Sequence, residues 1–203
     1  FGYDPFKHLI GRGVLETLGL DVDLREGDVA ARGNFCTVDE HGMIIDRRAG
    51  RISSEESAPL CTLLNEIDIP GVTIKVHPVK EYRFVIILRG MDLSERITES
   101  DPQDTGISPL EIQPEDLGAA QTAEAANEFV RQARELLKEE QANMVLLRGF
   151  SKLPHLTSMS EIYRLNPAGI AAYPMYRGLA KVAGMTVLYS GTTFDQEMTS
   201  LRE

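Results

Sequence analysis

Three arginines close together in the sequence are the residues best suited to bind an anion. Arg47, Arg48 and Arg51 lie within five residues and follow a short apolar run. Guanidinium groups hold several N–H donors in a fixed plane that matches a carboxylate or a phosphate, so the cluster predicts a fork for such an anion. The alternative is a solvated run of charge in which Asp46 forms a surface ion pair of little energetic value.

The segment that carries these arginines predicts a β-hairpin. Short apolar runs at 34–38 and 43–45 flank a polar connection, 39–42, that ends in a glycine. Two such runs separated by a short loop containing glycine are typical of paired antiparallel strands. The hairpin would place the arginines together at the end of its second strand.

Other arginines stand next to glycine. Arg89 precedes Gly90 at the end of the segment 81–90, whose centre is continuously apolar and predicts a strand buried on both faces. Such a strand end is the usual ligand-facing edge in α/β folds, so Arg89 is a candidate, whereas Arg83 is expected to pair with Glu81. Arg12 lies between two glycines, a pattern that suits either an anion close to the backbone or a simple turn.

Composition and charge narrow the functional classes. The chain has 203 residues, enough for one large or two small domains, and a net charge of −10. That charge argues against nucleic-acid or anionic-membrane partners, and no apolar run approaches the length of a membrane span. Cys36 and Cys61 lack metal-ligand spacing and lie in apolar surroundings, which indicates free thiols and a reducing compartment, the cytosol. The first residues do not look like a natural start, so we expect a fragment of a longer polypeptide.

Hydrophobic periodicity outlines the remaining elements. It predicts helices at 53–66 and 121–141, strands at 72–77 and 144–149, and a strand–helix–strand unit within 153–203. The stretch 91–120 is punctuated by polar residues and proline, which predicts a long functional or mobile loop. Its acidic side chains do not have the spacing of an EF-hand, so no calcium site is expected. These acidic residues are Glu95, Glu99, Asp101 and Asp104.

No familiar catalytic motif is present. The histidines do not occur in pairs with zinc-ligand spacing, and no Ser-His-Asp arrangement is visible. Neither a phosphate-binding P-loop nor a dinucleotide-binding glycine motif occurs.

Several motifs in order along the chain resemble one family. They are FGYDPFKHLIGRGVLE, GDVAARGNF, IIDRRAGRI, EYRFVIILRG, LSERITESDP, NEFV, LLRG and YPMYRGLAKVAGM. Together they resemble the archaeal type of 2,3-bisphosphoglycerate-independent phosphoglycerate mutase, in the alkaline-phosphatase-like superfamily of metalloenzymes. The resemblance implies an α/β fold in which a mixed-sheet, hairpin-rich mutase domain of ββαββαβ order is inserted into a phosphatase-like core. Residues 1–25 and 153–203 would be parts of that core, and 26–152 the inserted domain.

The resemblance also implies a chemistry. Two divalent metal ions, commonly Mn²⁺, would be held by Asp and His ligands, and a serine would carry the phosphoryl group between 3- and 2-phosphoglycerate without any need for 2,3-bisphosphoglycerate. The serine is expected upstream of this chain and the remaining metal ligands downstream. We therefore expect no catalytic or metal-binding residue in these 203 residues, and no activity of the chain by itself.

Candidate substrate-binding residues follow from the motifs and from the chemistry of arginine. Asp46 would orient the arginines or relay a proton for the glycerate hydroxyls. The full set is Arg47, Arg48, Arg51, Arg89, Asn34, Asp46, Arg12 and Arg177. The expected partner is a small molecule, 3- or 2-phosphoglycerate, and the oligomeric state stays open. Two alternatives remain: a related metal-dependent phosphatase or phosphomutase acting on another small phosphate or phosphonate, and a non-catalytic interaction module.

Overall fold

The fold is centred on a five-stranded antiparallel sheet. It is seen in a computed structural model that describes residues 2–4 and 10–200. The strands are β1 (Val29–Val38), β2 (Ile44–Asp46), β3 (Val72–Lys80), β4 (Arg83–Gly90) and β5 (Met144–Ser151). Their order is β2-β1-β4-β3, and β5 also pairs with β1. Strand β1 is therefore the centre of the sheet.

One face of the sheet is apolar and packs on two helices, α2 (Ser54–Leu64) and α3 (Ala120–Leu137). Alternate residues of each strand point to this face, as a period of two requires. Phe35 and Phe84 meet there with ring centroids 4.8 Å apart. Gly33 makes room for this contact, because a Cβ at that position would lie 2.0 Å from the Phe84 ring.

The opposite face is covered in part by helix α1 (Arg12–Gly19), which packs over Ala30 and Ile87. A Cβ on Gly13 would lie 2.5 Å from the backbone of Ala31, so glycine lets this helix approach the sheet closely. The glycines around Arg12 thus have a packing role. Helix α1 ends at Gly19, with Leu20 at the C-cap position.

The elements between residues 159 and 200 form a smaller unit. It contains α4 (Met159–Tyr163), β6 (Ala168–Ile170), α5 (Pro174–Val182), β7 (Thr186–Leu188) and α6 (Phe194–Ser200). Strands β6 and β7 are parallel and joined by α5, which confirms the predicted strand–helix–strand unit. Helix α5 packs on α1 so closely that a Cβ on Gly178 would lie 1.8 Å from the Leu15 carbonyl oxygen.

Most of the predicted elements are confirmed. The hairpin joins β1 to β2, and the order of strands and α-helices from 29 to 151 is ββαββαβ. The mixed sheet predicted for this segment is wrong, because every strand pairing in its five-stranded sheet is antiparallel. Ser53 and Glu56 form the capping box that begins α2. The stretch 91–120 has little regular structure, but it is anchored by buried Leu93, Ile97 and Ile112.

Two further expectations can be compared with the structure. Both cysteines are buried and free, and burial raises the pKa of each thiol, that of Cys61 to about 12. Within residues 2–4 and 10–200, no helix has the length and apolarity needed to cross a membrane.

Candidate functional site

The sheet face that carries α1 also carries a group of polar side chains. On β1, Arg32 lies opposite Val85 of β4 and Arg148 of β5. Two residues further along β1, Asn34 lies opposite Arg83. Paired positions on neighbouring strands point to the same face. We therefore call the surface formed by Arg32, Asn34, Arg83 and Arg148 the polar face.

A buried acid from α1 faces Arg32. Glu16 is fully buried, and its Oε1 lies 3.8 Å from Arg32 Nη1 and accepts a hydrogen bond of 3.1 Å from the Tyr173 hydroxyl. Burial raises the pKa of Glu16, while the positive charge of Arg32 opposes that shift. Glu16 Oε2 and Arg32 Nε are buried without a hydrogen-bond partner among the described residues. The pair thus keeps bonding capacity that its present contacts do not use.

A second buried acid, Asp101, brings two arginines together. Arg47 donates to both of its carboxylate oxygens, with Nη2–Oδ2 at 2.8 Å and Nε–Oδ1 at 3.2 Å. Arg148 Nη1 lies 3.5 Å from Oδ2 of the same carboxylate. Arg47 from the hairpin and Arg148 from β5 thus meet at one fully buried carboxylate.

The other members of the predicted arginine cluster are placed differently. Arg48 and Arg51 are exposed, and their side chains form no hydrogen bond or ion pair with any described residue. Asp46 accepts hydrogen bonds from the backbone N–H groups of Arg48 and Gly50, at 2.8 and 2.6 Å. It therefore shapes the turn after β2, whereas the carboxylate that contacts the Arg47 side chain is that of Asp101.

Arg89 lies at the opposite end of β4 from Arg83, about 20 Å away at the usual rise per strand residue. It forms a two-point ion pair with buried Asp28, at 2.6 and 2.8 Å. Arg89 also contacts Asp23, so most of its donors are engaged. This placement favours a structural role over the substrate-binding role that its strand-end position predicted.

The two remaining candidates lie on helices beside the sheet. Arg12 is exposed at the start of α1, and its charge lowers the pKa of Glu16 slightly against the effect of burial. Arg177 on α5 is half-buried, and its Nε has no hydrogen-bond partner among residues of the described ranges. It lines a cavity of about 340 Å³ together with Ile170 and Glu197. Arg83 pairs with Glu81 at 3.3 Å, as predicted.

Sequence reasoning missed several residues of this site. Arg32 interrupts the apolar run that becomes β1, and Glu16 interrupts the apolar side of α1. A charge inside an apolar run is a signal, because burying it is costly unless it has a partner. Asp101 is one of four acidic residues in the predicted loop 91–120, and nothing local marks it as a partner of Arg47.

The arrangement defines a class of protein. In this α/β fold Arg47 and Arg148 are partly exposed beside buried Asp101, and buried Arg32 lies opposite Arg148 with its guanidinium near buried Glu16. Such a surface suits a small ligand with more than one anionic group, since each guanidinium can form paired hydrogen bonds to a carboxylate or a phosphate.

The comparisons with known proteins identify the family. The family profile described as 2,3-bisphosphoglycerate-independent phosphoglycerate mutase matches residues 1–143, and the chain belongs to this family. A relative from Thermosipho melanesiensis, named a probable 2,3-bisphosphoglycerate-independent phosphoglycerate mutase, is 46% identical over 206 residues, the whole of this chain and 51% of that protein. A relative of the same name from Thermus thermophilus is 44% identical over 209 residues, again the whole chain and 52% of that protein.

A solved structure agrees with the sequence relatives. The cofactor-independent phosphoglycerate mutase from Thermoplasma acidophilum superposes with a TM-score of 0.70 at 34% identity, over 92% of this chain and 54% of that one. The chain thus spans about half the length of the relatives it matches.

Proposed function

We propose that this chain supplies the substrate-holding surface of a phosphoglycerate mutase that interconverts 3- and 2-phosphoglycerate in glycolysis and gluconeogenesis, in the cytosol. The observation that carries the proposal is the polar face together with Arg47, which meets Arg148 of that face at the Asp101 carboxylate. Phosphoglycerate has a carboxylate and a phosphate, and guanidinium forks fit both groups. The reaction would need no 2,3-bisphosphoglycerate.

The chemistry asked of these residues is positioning and charge stabilisation. Phosphoryl transfer depends mainly on holding the reacting groups in line and neutralising the charge on the phosphoryl oxygens. In the proposal, Arg32 and Asn34 hold the inner part of the substrate, and Arg47 with Arg148 holds an anionic group at the outer edge. Arg51, Arg12 and Arg177 remain predicted contributors around this centre, and exposed Arg48 remains one with a smaller expected effect.

The rest of the proposed machinery would come from other parts of the polypeptide. Residues 2–4 and 10–200 contain no group of three or more His, Cys, Asp or Glu side chains that could hold a metal ion. These residues therefore do not fit the pair of divalent metals, Mn²⁺ above all, that the resemblance implies, and we derive no metal-dependent step here. The proposed layout places 1–25 and 153–203 in a phosphatase-like core and 26–152 in an inserted domain. The chain alone would then show no turnover.

A chimera tests this function. This chain would replace the matching half of the Thermus thermophilus relative, and formation of 2-phosphoglycerate from 3-phosphoglycerate would be measured without added 2,3-bisphosphoglycerate. We expect turnover that Arg32→Gln lowers strongly. The matched control is Arg131→Gln, which removes an exposed arginine of α3 on the other side of the sheet. Parallel assays with sugar phosphates and phosphonates separate a mutase from a related phosphatase or phosphomutase.

The same experiment has a clear contrary outcome. The unmodified Thermus thermophilus relative provides the reference for activity. If the chimera unfolds cooperatively in a thermal scan and yet has no mutase activity under conditions where that relative is active, the proposed function is wrong for this chain. If the chimera prefers a sugar phosphate or a phosphonate as substrate, the function is that of a related phosphatase or phosphomutase.

A further inference from the structure

We propose that Asp101 is a positioning residue, which holds Arg47 and Arg148 side by side as a two-arginine clamp for one anionic group of the substrate. The inference rests on the proposed function and deepens it. An acidic side chain would then help to bind an anion, although its own negative charge repels that anion.

The geometry at Asp101 supports this role. Its side chain is fully buried, and it accepts two hydrogen bonds from Arg47 Nη2, at 2.8 and 2.9 Å, and one from Nε at 3.2 Å. Arg148 Nη1 approaches Oδ2 at 3.5 Å. The side chains of Arg47 and Arg148 are 29% and 27% exposed. The acid therefore holds the inner edges of two guanidiniums whose outer edges face solvent.

The carboxylate is itself fixed to the sheet. Oδ1 accepts a hydrogen bond of 2.9 Å from the backbone N–H of Gln103. The preceding residue, Ser100, donates from its backbone N–H to the Leu147 carbonyl oxygen at 3.0 Å and accepts from the Leu147 N–H at 2.8 Å through its hydroxyl. Ser100 thus pairs with Leu147, the residue before Arg148 on β5, and this pairing holds Asp101 beside the strand. Asp101 can therefore fix both arginines relative to β5.

Enough donors remain for a ligand. The guanidinium of an arginine carries five N–H donors. Arg47 uses Nε and Nη2 on Asp101, whereas its Nη1 has no partner among the described residues. Within residues 2–4 and 10–200, Arg148 makes only the long contact through Nη1, so its Nε and Nη2 are also available. Two positive charges against one negative charge leave the cluster with a net charge of +1, and the free donors belong to two different arginines.

The sign of the effect separates positioning from simple charge. A buried carboxylate repels an anion, so on charge alone its removal should strengthen binding of phosphoglycerate. If Asp101 acts by ordering the two guanidiniums, its removal should weaken binding, because each arginine must then be ordered by the ligand itself. Asp101→Asn keeps the shape of the side chain and removes the charge, so the two effects oppose each other in one variant.

The test is equilibrium binding of 3-phosphoglycerate to the purified chain by calorimetry. We expect Asp101→Asn to raise Kd about tenfold. The matched control is Asp104→Asn, which removes an exposed acid three residues away that contacts no arginine in the described part of the chain. We expect its affinity to be unchanged or slightly higher. Equal or tighter binding by Asp101→Asn would overturn the inference.

Two further variants keep the test decisive. Arg47→Lys retains the charge of a part-exposed side chain but loses the two-point contact, and it should weaken binding as Asp101→Asn does. In the double variant with Arg47→Gln and Arg148→Gln, adding Asp101→Asn should cause no further loss, because a positioning residue has nothing left to position. Fully additive losses would mean that Asp101 acts only through the stability of the fold.

The outcomes for the inference and for the proposed function are distinguishable. If the unaltered chain shows no saturable binding of 3-phosphoglycerate, the proposed substrate surface fails and the inference fails with it. If the unaltered chain binds and Asp101→Asn binds equally well, only the inference fails. If Asp101→Asn does not fold, Arg47→Lys decides, and unchanged affinity in that variant would refute the clamp.

Discussion

The ion pair between Arg89 and Asp28 separates structural arginines from functional ones, and it can be tested by stability. Asp28 is 3% exposed and Arg89 18% exposed, and two hydrogen bonds of 2.6 and 2.8 Å join them. Removing one partner of a buried pair typically costs about 3–5 kcal/mol, because the other charge stays buried. Asp28 keeps a hydrogen bond from the Arg25 backbone, which places the expected cost at the lower end.

For Arg89→Ala we therefore expect a loss of about 3 kcal/mol in the free energy of unfolding. In a protein of this size that corresponds to a fall in Tm of about 6–12 °C. Urea unfolding followed by circular dichroism measures the loss. Arg89→Lys keeps the charge without the two-point geometry, and it should lie between the wild type and Arg89→Ala.

Binding measurements distinguish a structural role of Arg89 from a substrate-binding role. Arg89→Ala should leave the affinity for 3-phosphoglycerate unchanged at a temperature where the variant is folded. A stability loss below about 1 kcal/mol, within the range of an exposed ion pair, would refute the structural role. A binding loss as large as that of Arg148→Gln would return Arg89 to the substrate site, as its place at the end of a buried strand first predicted.

Three other predictions follow from single contacts. In the chimera, Arg47→Ala should lower kcat/KM by about tenfold or more, whereas Arg48→Ala, at an exposed position, should keep kcat/KM within about threefold of the unmodified chimera. Equal effects of the two substitutions would mean that the hairpin acts only as a charged surface. Gly33→Ala should destabilise the fold by about 1–3 kcal/mol in urea unfolding, because the new Cβ would lie 2.0 Å from the Phe84 ring; an unchanged stability would contradict the tight packing there. Burial raises the pKa of Glu16 above its ordinary 4.5, so the folded state binds the proton more tightly than the unfolded state does. The free energy of unfolding should therefore fall as pH rises from 4.5 through the folded-state pKa. Glu16→Gln should flatten this decline in urea unfolding measured across pH, and an unaltered slope would refute the prediction.

Local patterns account for the parts of the fold that the sequence predicts well. The hairpin, β4 and α3 depend on periodicity and turn residues within a few positions, which are visible in one stretch of sequence. Strand β1 begins at Val29, five residues before the apolar run 34–38 that predicts it, because Arg32 and Gly33 interrupt the apolar pattern. Arg32 faces Glu16 of α1, and Gly33 makes room for the Phe84 ring of β4. Both contacts join distant parts of the chain, so a local pattern does not show them.

The candidate site is harder to predict, because its contacts join distant parts of the chain. Arg47 and Asp101 are 54 residues apart, and Arg89 and Asp28 are 61 apart. Each arginine follows an apolar run closely, so nothing local shows that Arg47 meets an acid beside β5 while Arg89 meets the acid that directly precedes β1. Tertiary packing decides which arginine keeps donors for a ligand and which uses them to close the fold.

The central claim is that the polar face binds phosphoglycerate, and one calorimetric titration tests it most directly. 3-Phosphoglycerate would be titrated into the purified chain, into Arg148→Gln and into the control Arg131→Gln. We predict saturable binding by the chain and by the control, and a Kd raised about tenfold or more in Arg148→Gln. Equal affinities in all three proteins would contradict the account, because they would place the ligand elsewhere than on the polar face.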